Sequence, residues 1–404
     1  MNMTPREAVL TAMRLEDPGY IPVMSQLTIG HILLNTGVDP IAFNFTNDGY
    51  VEGVLRIRAL YDFDGILLHK PGREEAVLTM AEVVEHEDGP ALLFPDGGKI
   101  ICQRNDDPKY EAPDGWQFPG AAPTDAADPL EWLEENLDWD NPIGHLPESY
   151  QHWHIHKGLH FWTQPEQIPD YYYATIDRVL AACAGKYSVH GEVKAPSDYL
   201  LNMFGMENAL MAMILNPALC HKLMERATES ICLWAVEQVK RGCDAIKNSS
   251  PYAGGGFLSR EHYEEFVVPY EKRLAQAVRE AGGFIYTHTC GAIGDRLDLI
   301  VQSGVNGIEC LDPPPLGNTD LAEAKEQWGK QIFIKGNVDS VNVLLRGTPD
   351  LVQEDVRRRL EIGSVGGGYI MSTACSIAPA VPPQHIKLMV AVTREFSEKR
   401  LQTG

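Results

Sequence analysis

The sequence lacks any uninterrupted apolar stretch of about 18 residues, the length that a membrane-spanning helix needs. Its N-terminus also lacks a basic segment followed by an apolar block, so we expect no secretion signal. Basic residues are scarce, 34 against 56 acidic ones, and the formal net charge is −22. Because nucleic acids and anionic membranes are polyanions, this charge argues against both as partners.

The eight cysteines lack the paired spacing of a disulfide framework. In a chain of 404 residues, scattered cysteines indicate free thiols and a reducing, cytoplasmic location. The glycine run 254–256 lacks the lysine of a phosphate-binding P-loop, and we interpret it as a flexible loop. No feature of composition therefore points to a secreted, membrane-bound or nucleotide-binding protein.

Short apolar runs alternate with helical segments along most of the chain. Eight such runs are predicted as parallel strands, beginning near residues 21, 63, 187, 243, 283, 307, 331 and 367. Eight βα units predict an α/β fold of the (β/α)8 barrel type, with one domain over residues 1–404. The reactive groups of such barrels lie at the C-terminal ends of the strands.

One insertion, about 76–170, interrupts this alternation. Residues 76–104 carry Asp88-Gly89 between apolar runs, which predicts an antiparallel hairpin flap. Residues 105–170 contain the tryptophans at 116, 132, 139, 153 and 162 and the histidines at 145, 152, 154, 156 and 160. This density of large aromatic residues argues against disorder and predicts a cap packed over the barrel mouth.

Residues 283–291 form the predicted strand that carries the chemistry. His288 and Cys290 are two residues apart near its end, so their side chains face the same side. Cys375 ends the last predicted strand. Histidine and cysteine are zinc ligands, and three of them predict a catalytic site with an open fourth position. The alternative is a core histidine and two unrelated buried cysteines.

A carboxylate could complete this site in the resting state. Glu192 shares a strand face with His190, and we favour it over Glu309 and Asp312, which end the sixth strand. A carboxylate that binds substrate or a loop is the alternative. Cys310, like most of the other cysteines, is interpreted as a small buried apolar residue.

Polar residues at predicted strand ends are candidates for binding a substrate: Gln26, His69, Asn248, Tyr252 and Asn337. Residues 152–156 are predicted to be extended, with three histidines on one face. They could line the substrate mouth, which makes His154 a further candidate, bind a second metal or relay protons. The tryptophans and the tyrosines 171–173 would suit an aromatic or methylammonium substrate, or they form the core of the insertion.

Several segments of the C-terminal third carry a family resemblance: residues 242–246, 258–270, 336–339 and 368–375, and the turn His288-Thr289-Cys290-Gly291. Together they resemble the uroporphyrinogen decarboxylase superfamily. The resemblance covers about 240–395 well and the first 70 residues weakly. It implies the same barrel fold.

Two branches of that superfamily differ in the segment after the first strand. The decarboxylases carry arginines there that bind the porphyrinogen carboxylates, whereas residues 24–31 contain none. The zinc-dependent methyltransferases that work with corrinoid proteins carry His-x-Cys followed by a distant Cys, as found here at 288, 290 and 375. Resemblance to that branch implies methyl transfer with Zn²⁺. The chain has no Asp-x-His-x-x-Gly segment, so the corrinoid (cobalamin) would be carried by a partner protein.

The resemblance thus predicts a zinc-dependent methyltransferase that demethylates a small methylated substrate onto the Co(I) corrinoid of a separate protein. A methoxylated aromatic is the preferred substrate, and a methylamine or betaine is the second choice. Three alternatives stay open. They are transfer from a methyl-corrinoid to a thiol or other acceptor, decarboxylation of an acid, and a metal-stabilised scaffold without activity. A structural zinc would have four protein ligands and lie remote from any cavity, whereas a catalytic zinc would have a water or substrate atom as a ligand in an open cavity.

Overall fold

The computed structural model describes residues 3–403, apart from 115–134, 136, 137, 139–143, 145 and 157. Within these residues the strands are β1 Gly65–Leu68, β2 Glu82–His86, β3 Gly89–Leu93, β4 Lys99–Ile101, β5 Lys109–Glu111, β6 Ser188–Lys194, β7 Ala245–Ser249, β8 Phe284–Thr289, β9 Gly307–Cys310, β10 Phe333–Val338 and β11 Tyr369–Thr373. The α-helices are α1 Pro5–Met13, α2 Ile29–Thr36, α3 Pro40–Phe45, α4 Asn47–Tyr61, α5 Val77–Met80, α6 Glu148–His156, α7 Ala174–Cys183, α8 Pro196–Phe204, α9 Met206–Leu215, α10 Pro217–Arg241, α11 Arg260–Phe266, α12 Val268–Glu280, α13 Leu297–Gln302, α14 Leu321–Trp328, α15 Pro349–Gly363 and α16 Pro383–Thr403.

Strands β1 and β6 to β11 form one parallel sheet in chain order. The segment around Val23 joins its two edges. The Met24 N–H donates to the Met371 carbonyl at 3.0 Å, and the Asp64 N–H donates to the Val23 carbonyl at 2.9 Å. The segment is therefore the eighth member of a closed (β/α)8 barrel, and the predicted fold is confirmed. It pairs only through isolated bridges, in part because Pro22 has no N–H to donate.

Side chains of the barrel strands alternate between two buried clusters. Those facing outward, such as Ile246 and Ile285, pack against the helices. Helix α1 covers the lower end of the inward cluster, whose strand residues are Leu67, Ala245, Tyr286, Phe333 and Ile370. Two residues further along the strands the inward side chains are charged or polar. Lys247, His288, Glu309 and Lys335 are buried, and the Glu192 side chain is 5% exposed. The barrel interior thus changes from apolar to charged towards the C-terminal strand ends.

Two helices show how well local signals set their limits. The sequence Thr4-Pro5-Arg6-Glu7 predicts a helix start, and α1 begins there, with Thr4 and Glu7 forming a capping box and Pro5 in the first turn. The helical pattern of residues 259–281 predicts one continuous helix, and this prediction is wrong, because α11 ends at Phe266 and α12 begins at Val268. Pro269 explains the break, since it cannot donate the backbone hydrogen bond that a continuous helix requires.

The insertion contains the predicted hairpin. Strands β2 and β3 are antiparallel, with His86 paired to Gly89, and β4 and β5 extend them to four strands. This sheet has its own core, which includes Phe45 of α3 together with Leu92 and Phe94. The exact limits of the insertion stay a prediction. Among the described residues, no helix is both long and apolar enough to cross a bilayer.

Glu271 of α12 is a carboxylic acid buried against the barrel wall beside Asn248, Ser250 and Thr287. Burial raises its pKa from 4.5 to about 7, against the opposing effect of these polar neighbours. The folded state therefore binds more protons than the unfolded state between these values. As a result, the free energy of unfolding falls as the pH rises through this window.

We expect Glu271→Gln, a neutral isostere, to remove that loss of stability. The difference in the free energy of unfolding, variant minus wild type, should be about 2 kcal/mol larger at pH 8 than at pH 5. Urea denaturation at both pH values measures it, with the exposed Glu264→Gln as the control. An identical pH dependence in wild type and E271Q would contradict the buried-acid interpretation.

Candidate metal centre

The ends of three barrel strands bring one histidine and three cysteines together. His288 lies on β8 and Cys290 directly follows it, Cys310 ends β9, and Cys375 lies two residues beyond β11. The Cys290 Sγ is 3.4 Å from both the His288 Nε2 and the Cys375 Sγ, and the Cys310 Sγ is 3.2 Å from the same Nε2. One nitrogen and three sulfurs thus lie within 4.8 Å of one another.

These spacings fit a tetrahedral zinc ion. With Zn–S of 2.3 Å and Zn–N near 2.05 Å, ideal tetrahedral edges would be about 3.8 Å between sulfurs and about 3.6 Å between sulfur and nitrogen. The three separations given above are shorter by a few tenths of an ångström, which small side-chain rotations would restore, and the remaining pairs lie within 4.8 Å. Thiolate and imidazole donors in this geometry favour zinc over the hard cations Mg²⁺ and Ca²⁺.

A chain of buried groups orients the histidine. The His288 Nδ1 lies 3.0 Å from a Glu309 carboxylate oxygen, and the other oxygen accepts a hydrogen bond from the Lys335 ammonium group. Burial raises the pKa of Glu309, but Lys335 and the bond to His288 lower it more, so it lies well below the usual range. The carboxylate therefore holds the proton on Nδ1 and leaves Nε2 free to face the sulfurs.

Cys310 is the site residue that sequence reasoning missed. Its backbone has φ 89° and that of Leu311 has φ 60°, conformations that cost a non-glycine residue about 1–3 kcal/mol each. The Asn337 amide donates to the Leu311 carbonyl at 2.8 Å, and Arg359 donates to the Asn337 oxygen. These bonds hold the strained turn that aims the Cys310 sulfur at His288.

An open cavity of about 340 Å³ adjoins the cluster, and His288, Cys290 and Cys375 line its floor. Cys310 lies behind them and is fully buried. One wall is the loop after β7, which packs tightly on the metal-binding turn, since a Cβ added at Gly254 would lie 2.2 Å from the Cys290 carbonyl oxygen. This close approach explains the glycine at position 254, and the flexibility of the run 254–256 stays a prediction.

The structure brings some predicted substrate residues to this cavity and not others. Gln26, His69 and Tyr252 line it. Asn248 is buried with its amide 3.3 Å from Thr287 Oγ1, because strand alternation turns Lys247 inward and Asn248 outward. Asn337 is likewise buried, in the network behind Cys310. Neither asparagine lines the cavity.

Glu192 lines the cavity but is not in the described metal-ligand group. Its carboxylate lies 3.2 Å from the Lys247 ammonium, 3.3 Å from that of Lys194 and 3.4 Å from the His69 ring. Burial raises its pKa, but the two lysines lower it more, so it remains well below the usual value. The position in the group that the sequence analysis gave to Glu192 is taken by Cys310.

The histidine-rich segment is helical rather than extended, so this prediction was wrong. Residues 152–156 lie in α6, where residues two apart point in nearly opposite directions. His152 stacks on Phe94 and lies 3.2 Å from the Glu74 carboxylate. The His154 side chain lies outside the described residues. Two of the tryptophans of the insertion lie within the described residues, Trp153 and Trp162, and both pack against the hydrophobic core.

A family model described as uroporphyrinogen decarboxylase matches residues 152–396, more than half of the chain. The chain belongs to the uroporphyrinogen decarboxylase family. The match includes every residue of the histidine–cysteine cluster, so the cluster lies in the part of the chain that defines the family.

Relatives in the uroporphyrinogen decarboxylase family carry two kinds of name. A uroporphyrinogen decarboxylase of Methylococcus capsulatus is 30% identical over 184 residues, which cover 45% of this chain and 50% of that protein. A methylcobamide:CoM methyltransferase of Methanosarcina acetivorans is 29% identical over 174 residues, 43% of this chain and 48% of that protein. The chain therefore spans about half the length of the curated relatives it matches.

A solved methyltransferase structure from Methanosarcina mazei supports the fold assigned to this family member. It aligns with a TM-score of 0.70 and 19% identity over 98% of this chain and 99% of that one. At this identity the likeness concerns the fold alone.

We expect Cys290→Ser, Cys310→Ser and Cys375→Ser each to weaken zinc binding by about a hundredfold or more. Loss of a ligand should cost at least as much as loss of its hydrogen-bonding partners. Competition with a chromophoric chelator measures the affinity. Cys232→Ser, on α10, is the control and should bind zinc like wild type. Unchanged zinc affinity in C290S would rule out the site.

We expect Glu309→Gln to weaken zinc binding by about 10–100-fold, because it removes the charge that fixes the His288 tautomer. It also leaves Lys335 buried without its counterion, so Glu309→Gln/Lys335→Met should recover thermal stability but not zinc affinity. Glu192→Gln is the matched control, since it removes another largely enclosed carboxylate, one that contacts two lysines but not His288. Equal losses in E192Q and E309Q would show that the two carboxylates have the same role.

Proposed function

We propose that this protein is a zinc-dependent methyltransferase that demethylates a small methylated substrate onto the corrinoid of a separate protein. The observation that carries the proposal is the cluster of His288, Cys290, Cys310 and Cys375 at the floor of an open cavity. Three of these residues face the cavity. Because the cluster offers four protein ligands instead of the three expected from the sequence, a substrate atom would bind a metal here as a fifth ligand or in place of one of the four side chains. A purely structural metal would not require access from a cavity.

Zinc bound here would act as a Lewis acid on the atom that carries or accepts the methyl group. The protein's own residues prepare the site. Glu309 and Lys335 fix the histidine tautomer, and the Asn337–Leu311 contact fixes the Cys310 sulfur. The barrel walls bury these groups, so their orientation is set before any substrate binds.

We favour a methoxylated aromatic over a cationic methylamine or betaine as the substrate. Lys70, Lys194, Asp107 and Glu192 are the charged Lys, Asp and Glu residues that line the cavity. The Glu192 carboxylate is already surrounded by two lysines and a histidine ring, so it offers little to a methylammonium group. The half-exposed Tyr252 ring supplies an aromatic surface on which the substrate could stack.

Transfer in the opposite direction, from a methyl-corrinoid to a thiol, is the second candidate. The similarity to a methylcobamide:CoM methyltransferase favours it. Decarboxylation of a porphyrinogen is less well supported, although relatives carry that name. Among the described residues lining the cavity there are lysines but no arginine, and arginine is the residue suited to bidentate binding of several carboxylates.

We expect the zinc-loaded protein to convert the Co(I) corrinoid of a partner protein to its methylated form when a methoxybenzoate is supplied. The change in the cobalt absorption spectrum measures the rate, with trimethylamine, betaine and a methyl-corrinoid plus thiol as parallel arms. Cys375→Ser should be slower by about two orders of magnitude or more, because Lewis-acid stabilisation supplies several kcal/mol. Cys232→Ser is the control.

Turnover only in the thiol arm would reverse the assigned direction, and no turnover in any arm would refute methyl transfer.

A further inference from the structure

A second, smaller cavity lies under the insertion, between α3, the loop after β1 and α6. It has a volume of about 30 Å³ and is lined by Asn44, Arg73, His152 and Tyr171 among others. This is room for about two water molecules. The cavity is separate from the metal centre, since none of the residues lining it lines the metal cavity.

The guanidinium group of Arg73 in this cavity is buried and only partly bonded. The residue is 4% exposed, and its Nη1 donates to the Pro71 carbonyl at 3.0 Å. Its Nε and Nη2 have no hydrogen-bond partner within the part of the chain that the structure describes. The guanidinium group lies 4.1 Å above the centre of the Tyr50 ring. Nε and Nη2 form one edge of the group, and this edge carries the two N–H donors that can bind a carboxylate in parallel.

No carboxylate among the described residues pairs with this cation. The two adjacent acidic residues are engaged elsewhere. Glu74 lies 3.2 Å from the His152 ring, and Glu75 accepts from the Asn47 backbone and side chain at 2.8 and 2.9 Å. A buried charge without a partner is strongly unfavourable. Asn44 lines the same cavity, and its side-chain oxygen is buried with no partner among the residues of known placement.

We propose that Arg73 binds a small carboxylate of formate or acetate size, held by Nε and Nη2. The two carboxylate oxygens would occupy the space of two water molecules and neutralise the guanidinium. The Asn44 oxygen would then accept from a hydroxyl or amino group next to the carboxylate, or from water. This site is independent of the proposed methyl transfer and needs no metal.

The loop that forms this site also forms a wall of the metal cavity. His69 and Lys70 line the metal cavity, and residues 71–74 line the smaller one. A carboxylate at Arg73 would therefore stabilise the loop that positions His69 and Lys70. Occupancy of the small site would be read out as greater thermal stability even in protein without zinc.

Isothermal titration of zinc-free protein with sodium acetate and sodium formate in a zwitterionic buffer tests this proposal. Wild type and the exposed-arginine control Arg14→Met should show the same saturable binding and the same rise in melting temperature. Arg73→Met should show neither. Arg73→Lys keeps the positive charge but loses the planar pair of N–H donors, so this variant should bind acetate and formate about tenfold more weakly than wild type.

Diffraction from wild-type crystals soaked in acetate provides a test that needs no variant to fold. Density for a carboxylate within hydrogen-bond distance of both Nε and Nη2 would support the site. Water alone at the guanidinium group would overturn it, as would equal binding in Arg73→Met and Arg14→Met. Loss of acetate binding in Arg73→Met with unchanged zinc affinity would separate this site from the metal centre.

Discussion

The Glu309 carboxylate, held between the His288 imidazole and the Lys335 ammonium group, is the contact on which the candidate metal centre depends. It sets which imidazole nitrogen faces the sulfurs, and it neutralises one of the two lysines buried inside the barrel. Lys247 is neutralised in the same layer by Glu192. Because Lys335 and Lys247 each have a carboxylate partner, the barrel can place a charged layer directly above its apolar layer without leaving either lysine unpaired.

The barrel and three members of the cluster could be predicted because they depend on local periodicity. Alternating βα units identify the fold, and His288 and Cys290 share a face because strand side chains repeat every two residues. The same rule could have excluded Asn248 from the predicted substrate residues, because it lies two residues after the outward-facing Ile246. The histidine segment misled because spacing alone cannot distinguish an extended chain from a helix. Five residues are too few to show either period.

Cys310 could not be predicted from that rule. Glu309 faces inward, so a regular strand would turn Cys310 outward, where a buried cysteine is simply an apolar side chain. The positive φ of Cys310 reverses this, and the bonds that hold that turn come from β10 and α15, far along the chain. Glu192 was a reasonable fourth ligand on alternation alone. What changed its role was Lys247 on the next strand, which only tertiary structure brings beside it.

The barrel is closed by a segment with far fewer backbone bonds than its neighbours. Strands β6 to β11 share continuous ladders, whereas the residues around Val23 and Leu27 meet β11 and the residues beyond it only at single bridges. Local opening of a fold begins where backbone bonding is weakest. Gln26 lies between these bridges, lines the metal cavity and bonds Lys247. Transient separation along this line would therefore widen the cavity from the side and let bulky molecules reach it without disturbing the strands that hold the sulfurs.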